Sequence, residues 1–250
     1  MAVVSPTTAN VCQDLIPVKS PMPRLLLFDI DGTLMDTGGA GGASLLDAVE
    51  DVLGVSRSQL APLDLAGATD AGVVRSLFSQ TGHDLQDTLV NQYLARYLTR
   101  LRERLHHDSF TGRLLPGVES LLLQLRTLAQ ADLGLLTGNV REGANIKLQR
   151  FQLDSFFLEG AFGDDAEDRN LLGPFATRRI QAITGHEYAP EDIIVIGDTP
   201  KDIACARAIG ARCLAVGTGT FQAAALAGHS PWQCLEDLSE TDRICDLLLN

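Results

Sequence analysis

Four short apolar runs, each closing on a polar or acidic loop, constrain this chain more than any other feature of its sequence. The first is Arg24-Leu25-Leu26-Leu27-Phe28-Asp29-Ile30, a short apolar run ending at an acidic loop, without the alternation of a strand that has one wet face. Residues 133–136 repeat the design and end at Thr137-Gly138-Asn139. Residues 193–196 end at Gly197-Asp198, and 213–216 end at Gly217-Thr218-Gly219. Runs of this kind are strands of a parallel sheet buried on both faces. Helical stretches predicted at 118–130, 142–150, 175–184 and 201–209 alternate with them, so the main body is α/β.

Residues 38–115 break the alternation, with helical patterns and no buried strand. Leu85, Leu89, Tyr93, Tyr97, Leu101 and Leu105 recur every four residues, the apolar stripe of a helix. The segment reads as a helical insertion with its own small core, hinged through Thr37-Gly38-Gly39 and Pro116-Gly117. The body is then 24–37 with 116–250. Residues 1–23, with four prolines and no periodicity, read as an irregular leader. Gly38-Gly39-Ala40-Gly41-Gly42 lacks dinucleotide-binding spacing and reads as a flexible flap. Thr69 or Asp70 reads as an N-cap for a helix starting near Ala71.

Composition narrows the partners. A net charge of −12 over 250 residues opposes loose binding to nucleic acid or an anionic membrane. No apolar run approaches a membrane span. Five cysteines without C-x-x-C spacing indicate neither a disulfide framework nor a zinc site, so free thiols in a reducing cytoplasm are the expectation. The five histidines show no ligand spacing.

In an open parallel sheet, ligands bind beyond the carboxyl ends of the strands. The residues there are Asp29 and Asp31, Thr137 to Asn139, and Asp198. Converging carboxylates repel one another unless a cation sits among them, and an all-oxygen set favours Mg²⁺. Thr137 ends its strand just before a helix, so its hydroxyl and the N–H groups of Gly138 and Asn139 form an expected phosphate seat. Asp29 is placed to attack phosphorus and Asp31 to trade protons, which is phosphoryl transfer on a small phosphorylated metabolite.

Asp29-Ile30-Asp31-Gly32-Thr33-Leu34-Met35-Asp36-Thr37 resembles the first motif of the haloacid dehalogenase-like hydrolase superfamily. Leu136-Thr137-Gly138-Asn139 is similar to its second motif, and Ile196-Gly197-Asp198-Thr199-Pro200-Lys201-Asp202 to its fourth. The resemblance implies a Rossmann-like parallel sheet core with an inserted helical cap, as in the phosphoglycolate phosphatase-like branch. It implies a nucleophilic Asp29, a general acid/base Asp31, and substrate contacts from Thr33, Gly138 and Asn139. Mg²⁺ would be held by the Asp29 side chain, the Asp31 carbonyl and Asp198, with Asp202 supporting it through water or outer bonds.

The third motif departs from the family pattern, which places a lysine before the helix leading to the fourth. No lysine occurs between Lys147 and Lys201. Arg169, in a connecting loop, is the expected replacement, ahead of Arg178 and Arg179 inside a predicted helix.

Dehalogenating members lack an acid at the position of Asp31, which argues for phosphate chemistry. Phosphonate-cleaving members use a cap lysine, and residues 38–115 contain none. The expected activity is Mg²⁺-dependent hydrolysis of a phosphate monoester. A phosphosugar mutase is the second reading and a non-catalytic binding protein on the same fold the third.

Overall fold

A computed structural model describes residues 23–128 and 130–250, so the leader expected at 1–23 lies outside the described residues except for Pro23. The chain enters through β1 (Arg24–Phe28), and β2 (Met35–Asp36) follows a tight turn. Three helices come next: α1 (Ala40–Ala48), continued by one π turn at Val49–Leu53, then α2 (Asp70–Thr81) and α3 (Asp87–His106). β3 (Arg113–Leu114) returns antiparallel to β2. The remainder alternates as α4 (Val118–Leu128), β4 (Ala131–Leu136), α5 (Arg141–Arg150), β5 (Gly160–Ala161) and α6 (Gly173–Thr184). It ends with β6 (Ile193–Gly197), α7 (Pro200–Ala208), β7 (Arg212–Val216), α8 (Ala223–Ala227), β8 (Gln233–Leu235) and α9 (Thr241–Leu249).

Six strands form one parallel sheet in the order β5-β4-β1-β6-β7-β8. Successive residues of β1 serve opposite faces, as strand geometry requires. Leu26 and Phe28 pack in a cluster with Leu121, Leu122 and Leu125 of α4 and Ile244 and Leu248 of α9. Leu25 and Leu27 pack on the other side with Ala176 and Ile180 of α6 and Ile203 and Ala206 of α7. Burial on both faces explains why β1 is continuously apolar. β5 and β8, with two and three residues at the sheet edges, left no run in the sequence long enough to read.

The chain leaves β1 towards β4 and β5 on one side, then returns to β6 on the other. β1 is therefore the switch point, and a crevice opens beyond its carboxyl end between β4 and β6. Asp29, Thr137 and Asp198 follow the three strands that border it.

Residues 40–105 build a third apolar cluster. Tyr93, Tyr97, Leu101 and Leu105 of α3 pack with Val73, Leu77 and Phe78 of α2 and Leu45 and Ala48 of α1. The Tyr93 hydroxyl donates to the Leu45 carbonyl at 2.8 Å, so a buried aromatic keeps its polar end satisfied. Two residues from beyond β4, Val140 and Ile146, join the same cluster, which ties these helices to α5. The stripe begins later than its spacing suggested: Leu85 precedes α3 and is exposed. The glycine-rich stretch is not a loose flap either. Gly39 is the left-handed N-cap of α1, and Gly41 and Gly42 are already helical. Thr69 caps α2, its hydroxyl accepting from the Gly72 N–H at 3.1 Å, as the sequence indicated.

Two glycines separate backbone strain from crowding. Gly39 and Gly117 both take positive φ, +79° and +80°, but a Cβ at Gly39 would meet nothing within 4 Å. A Cβ at Gly117 would collide with the Leu238 carbonyl. Gly39→Ala should cost only the left-handed strain, about 1–2 kcal/mol. Gly117→Ala should cost more, above about 2 kcal/mol, because the Leu238 peptide must also move. Urea midpoints at unchanged m-value measure both, and equal losses at the two sites would contradict this packing.

Candidate active site

Asp29, one residue past β1, is buried and anchored through its own N–H, which donates to the Ile196 carbonyl at 2.9 Å. Asp198, one residue past β6, is likewise buried, and the Thr33 hydroxyl donates to its Oδ1 at 3.1 Å. Asp202 sits at the start of α7, where it completes a capping box: its Oδ2 accepts from the Thr199 N–H at 3.0 Å and hydroxyl at 2.7 Å. One carboxylate oxygen from each of Asp29, Asp198 and Asp202 lies within 4.8 Å of the other two, and all three residues are buried.

Three buried carboxylates need opposing charge. Arg169 supplies part of it. Its Nη2 lies 3.1 Å from Asp29 Oδ1, also reaches Asp202 Oδ1, and donates to the Leu136 carbonyl at 3.1 Å. Asp202 and Asp29 hold the guanidinium charged against its burial, while its Nε finds no partner among the described residues. One cation does not neutralise three acids. Burial, reinforced by Asp202 and Asp29, pushes the Asp198 carboxyl up to about 8. Burial raises Asp29 to about 6 although Arg169 pulls the other way. The donor set is all oxygen, buried and short of positive charge, which fits a hard divalent cation.

Asp31 points to a different partner. Lys147 Nζ, on α5, donates to Asp31 Oδ2 at 2.5 Å and to Asn139 Oδ1 at 2.6 Å. Asn139 Nδ2 in turn donates to Asp31 Oδ2 and to the Thr137 hydroxyl, both at 2.8 Å. Burial by itself would raise Asp31, but Lys147 together with Asn139 and Thr37 holds it below the ordinary carboxylate value. The site thus has two buried cations, each assigned to one aspartate of the first motif.

The helices above the crevice contribute Asp70. Its N–H donates to the Gly138 carbonyl at 2.7 Å and its Oδ2 accepts from the Val140 N–H at 2.8 Å. Val140 is the N-cap of α5, so a carboxylate from α2 fills the positive end of a helix on the core side. Nearby, the Thr69 hydroxyl donates to the Glu167 carbonyl at 2.6 Å and Arg75 Nε lies 2.6 Å from Glu167 Oε2. These bonds fasten the insertion over a cavity of about 540 Å³ lined by Asp29, Asp31, Thr137, Asn139, Asp198 and Arg169.

The residues singled out in the sequence therefore meet in one place, Thr33 and Asp202 just behind it and the others on its walls. Arg169, and neither Arg178 nor Arg179, is the arginine that reaches Asp29. Thr137 is fully buried and accepts from the Asn139 N–H at 3.3 Å. Lys147 was not singled out. Its signal was present: Gly143, Ala144, Lys147 and Leu148 share the buried face of α5, and a lysine in such a stripe needs a partner.

Residues 26–216 match the haloacid dehalogenase-like hydrolase family. The chain belongs to that family. It is 25% identical over 230 residues to a phosphoglycolate phosphatase of Pseudomonas putida, covering 87% of this chain and 78% of that one. It is 28% identical over 200 residues to a phosphoglycolate phosphatase of Rhodospirillum rubrum, with 76% and 77% covered. A solved hydrolase from Pseudomonas syringae has the same fold, with a TM-score of 0.67 at 20% identity over 92% of this chain and 100% of that one.

The raised Asp198 gives a signed expectation. In the folded chain without metal it keeps a proton to about pH 8, whereas the unfolded chain loses it near 4. Between those values the folded state binds more protons, so this group's contribution to stability falls as pH rises. In EDTA, Tm should drop from pH 5 to pH 8 more steeply for the wild type than for Asp198→Asn. Mg²⁺ should raise Tm more at pH 8 than at pH 5, because binding displaces the proton. Parallel Tm curves for the two proteins would contradict this.

Proposed function

We propose that this haloacid dehalogenase-like phosphatase hydrolyses a small phosphate monoester through an aspartyl-phosphate on Asp29, with Mg²⁺ as cofactor. The observation that carries the reading is the separation of the two first-motif aspartates. Asp29 is bound to Arg169 in the acidic cluster, and Asp31 is bound to Lys147 outside it. Two carboxylates in distinct electrostatic settings suit two distinct roles.

The Asp29 and Asp198 side chains and the Asp31 carbonyl would hold Mg²⁺, with Asp202, already committed to Arg169 and Thr199, supporting from behind. Bound there, the ion would screen the carboxylates from an incoming phosphate dianion and polarise its oxygens. Arg169 fixes the Asp29 carboxylate, so that its free oxygen forms the bond to phosphorus as the bond to the leaving oxygen breaks. The Thr137 hydroxyl, with Gly138 and Asn139, seats the phosphate oxygens; Thr33, expected among these contacts, is fully buried behind the wall and donates its hydroxyl to Asp198. Asp31 is ionised in the resting site; the arriving phosphate, a like charge beside it, raises its proton affinity, so that it takes up a proton from solvent before the cap closes and delivers that proton to the leaving oxygen. In the second half, Asp31 takes a proton from the water that attacks the aspartyl-phosphate, which frees Asp29 and inorganic phosphate.

Residues 38–115 act as the cap over the 24–37 and 116–250 core, and Asp70, with the Thr69 and Arg75 bonds to Glu167, is among the contacts that hold it shut. Closure excludes bulk water while the ester is cleaved. Among the described residues no helix is long and apolar enough to cross a membrane. The free cysteines Cys205, Cys213, Cys234 and Cys245 fit a reducing cytoplasm. The relatives' names make 2-phosphoglycolate a natural first ester to assay.

Phosphate release from a panel of monoesters tests the reading. With Mg²⁺, release should be readily measured; EDTA should abolish it, and Asp29→Asn should lower kcat by about 10⁴-fold or more, as loss of a nucleophile does. Retained turnover in Asp29→Asn would remove Asp29 from the mechanism.

A further inference from the structure

The arginine beside Asp29 has one contact that the core does not supply. Arg169 starts a 3₁₀ turn whose N-cap, Asp168, accepts from the Asn170 N–H at 2.9 Å, and the Arg169 carbonyl accepts from the Cys205 thiol at 3.1 Å. Its guanidinium is buried, and Nη2 serves core acceptors alone: Asp29, Asp202 and the Leu136 carbonyl. Nη1 instead donates to the Gly67 carbonyl at 3.3 Å, 102 residues away in the helical insertion. Because Nε has no partner among the described residues, Gly67 is the acceptor that orients the rest of the fork.

Gly67 lies in a turn that leads into α2 and is closed by the Ala68 N–H, which donates to the Leu65 carbonyl at 3.2 Å. The turn is seated on the core from both sides. Just past it the Asp70 N–H donates to the Gly138 carbonyl at 2.7 Å, and just before it Asp64 Oδ2 lies 2.9 Å from Lys201 Nζ. Gly67 itself rests on Thr199, so closely that a Cβ there would stand 2.4 Å from the Thr199 hydroxyl oxygen. Thr199 belongs to the capping box that holds Asp202. The same turn therefore touches the guanidinium directly and, through Thr199, the carboxylate that shares it with Asp29.

A guanidinium is planar, with its terminal nitrogens fixed relative to one another. Where Nη1 is held therefore sets the plane in which Nη2 meets Asp29. A lysine, which the family pattern places in this motif, has a single nitrogen; it could pair with Asp29 and Asp202 but would leave the Gly67 carbonyl without a donor. Resting on the phosphatase reading above, we propose that Arg169 couples cap closure to the nucleophile: the Gly67 carbonyl, in place only when the cap is shut, orients the guanidinium that orients Asp29. Arg169 is thus a positioning residue that senses the cap as well as a counter-charge. The coupling is reciprocal, because a group that binds the oriented Asp29 more tightly must favour the seated turn by the same factor.

Hydrogen exchange of the 65–70 turn with Mg²⁺ and beryllium fluoride tests this. Beryllofluoride adds to a carboxylate oxygen as the phosphoryl group would, and a rise in Tm reports that it has bound. In the wild type, exchange at 65–70 should slow by about fivefold or more on binding. Arg169→Lys keeps the charge, so its Tm should still rise with the probe, but the slowing should shrink to about twofold or less. Gly67→Ala disturbs the same contact from the cap side with Arg169 intact, through the collision with Thr199 at a residue with φ +61°, and should lose the slowing as well. On the best ester of the panel above, each variant should lower kcat by about tenfold or more with KM changed by less than about threefold. The double variant should be within about twofold of the more damaging single one, because both remove one link. Full slowing of exchange in either variant, or losses that multiply in the double variant, overturns the proposal. A wild type that hydrolyses esters and binds beryllofluoride without slowing overturns it too, and leaves the phosphatase reading intact. A wild type that hydrolyses no ester and gains no Tm with beryllofluoride overturns the phosphatase reading itself, and this inference with it.

Discussion

The ion pairs of Arg169 with Asp29 and Asp202 are the constraint on which the rest of the site depends. A parallel sheet that switches direction at β1 brings the ends of three strands together, and this chain places a carboxylate or a hydroxyl at each. Without opposing charge, Asp29, Asp198 and Asp202 could not stay buried within 4.8 Å of one another. Arg169 compensates part of that charge and binds Asp29 in a fixed orientation. The remainder appears as raised proton affinity on Asp198 and Asp29, and it is this residual deficit that calls for a divalent cation.

Lys147 solves the same problem for Asp31 from another direction. A lysine near the end of α5 reaches back along the helix, as helical side chains do, to meet Asp31 and Asn139. The ion pair separates Asp31 electrostatically from Asp29 only two residues away. Asp70 then closes the arrangement from above by filling the N-terminus of the same helix. α5 is thus where the core's proton-handling group, the phosphate seat and the cap contact are coupled.

Much of this was readable from the sequence because it depends on local pattern. The buried strands β1, β4, β6 and β7 announced themselves as continuous apolar runs, and the loops after them carried Asp29, Thr137 and Asp198. Arg169 was reachable through the resemblance, which implies a cation before the fourth motif in a segment that has no lysine between Lys147 and Lys201. What escaped depends on long-range placement. β5 and β8 are too short to show a period, and Leu85 fell outside its helix because the stripe of α3 starts only after Gln86. Gly41 and Gly42 looked like a loop because glycine disfavours helices, yet both are helical and lie close against the side-chain ends of Lys147 and Leu65. The role of Lys147 emerges only when α5 is seen against β1, 116 residues from Asp31 in sequence.

The claim at the centre of this account is that phosphorus is transferred to Asp29. Rapid acid quench of the enzyme during turnover of a ³²P-labelled monoester with Mg²⁺, followed by peptide mapping, tests it directly. The label should appear as an acid-stable, alkali-labile acyl phosphate on the peptide containing Asp29, and it should be absent from Asp29→Asn. Label on another residue, or burst-phase phosphate release with no labelled peptide, would contradict the account.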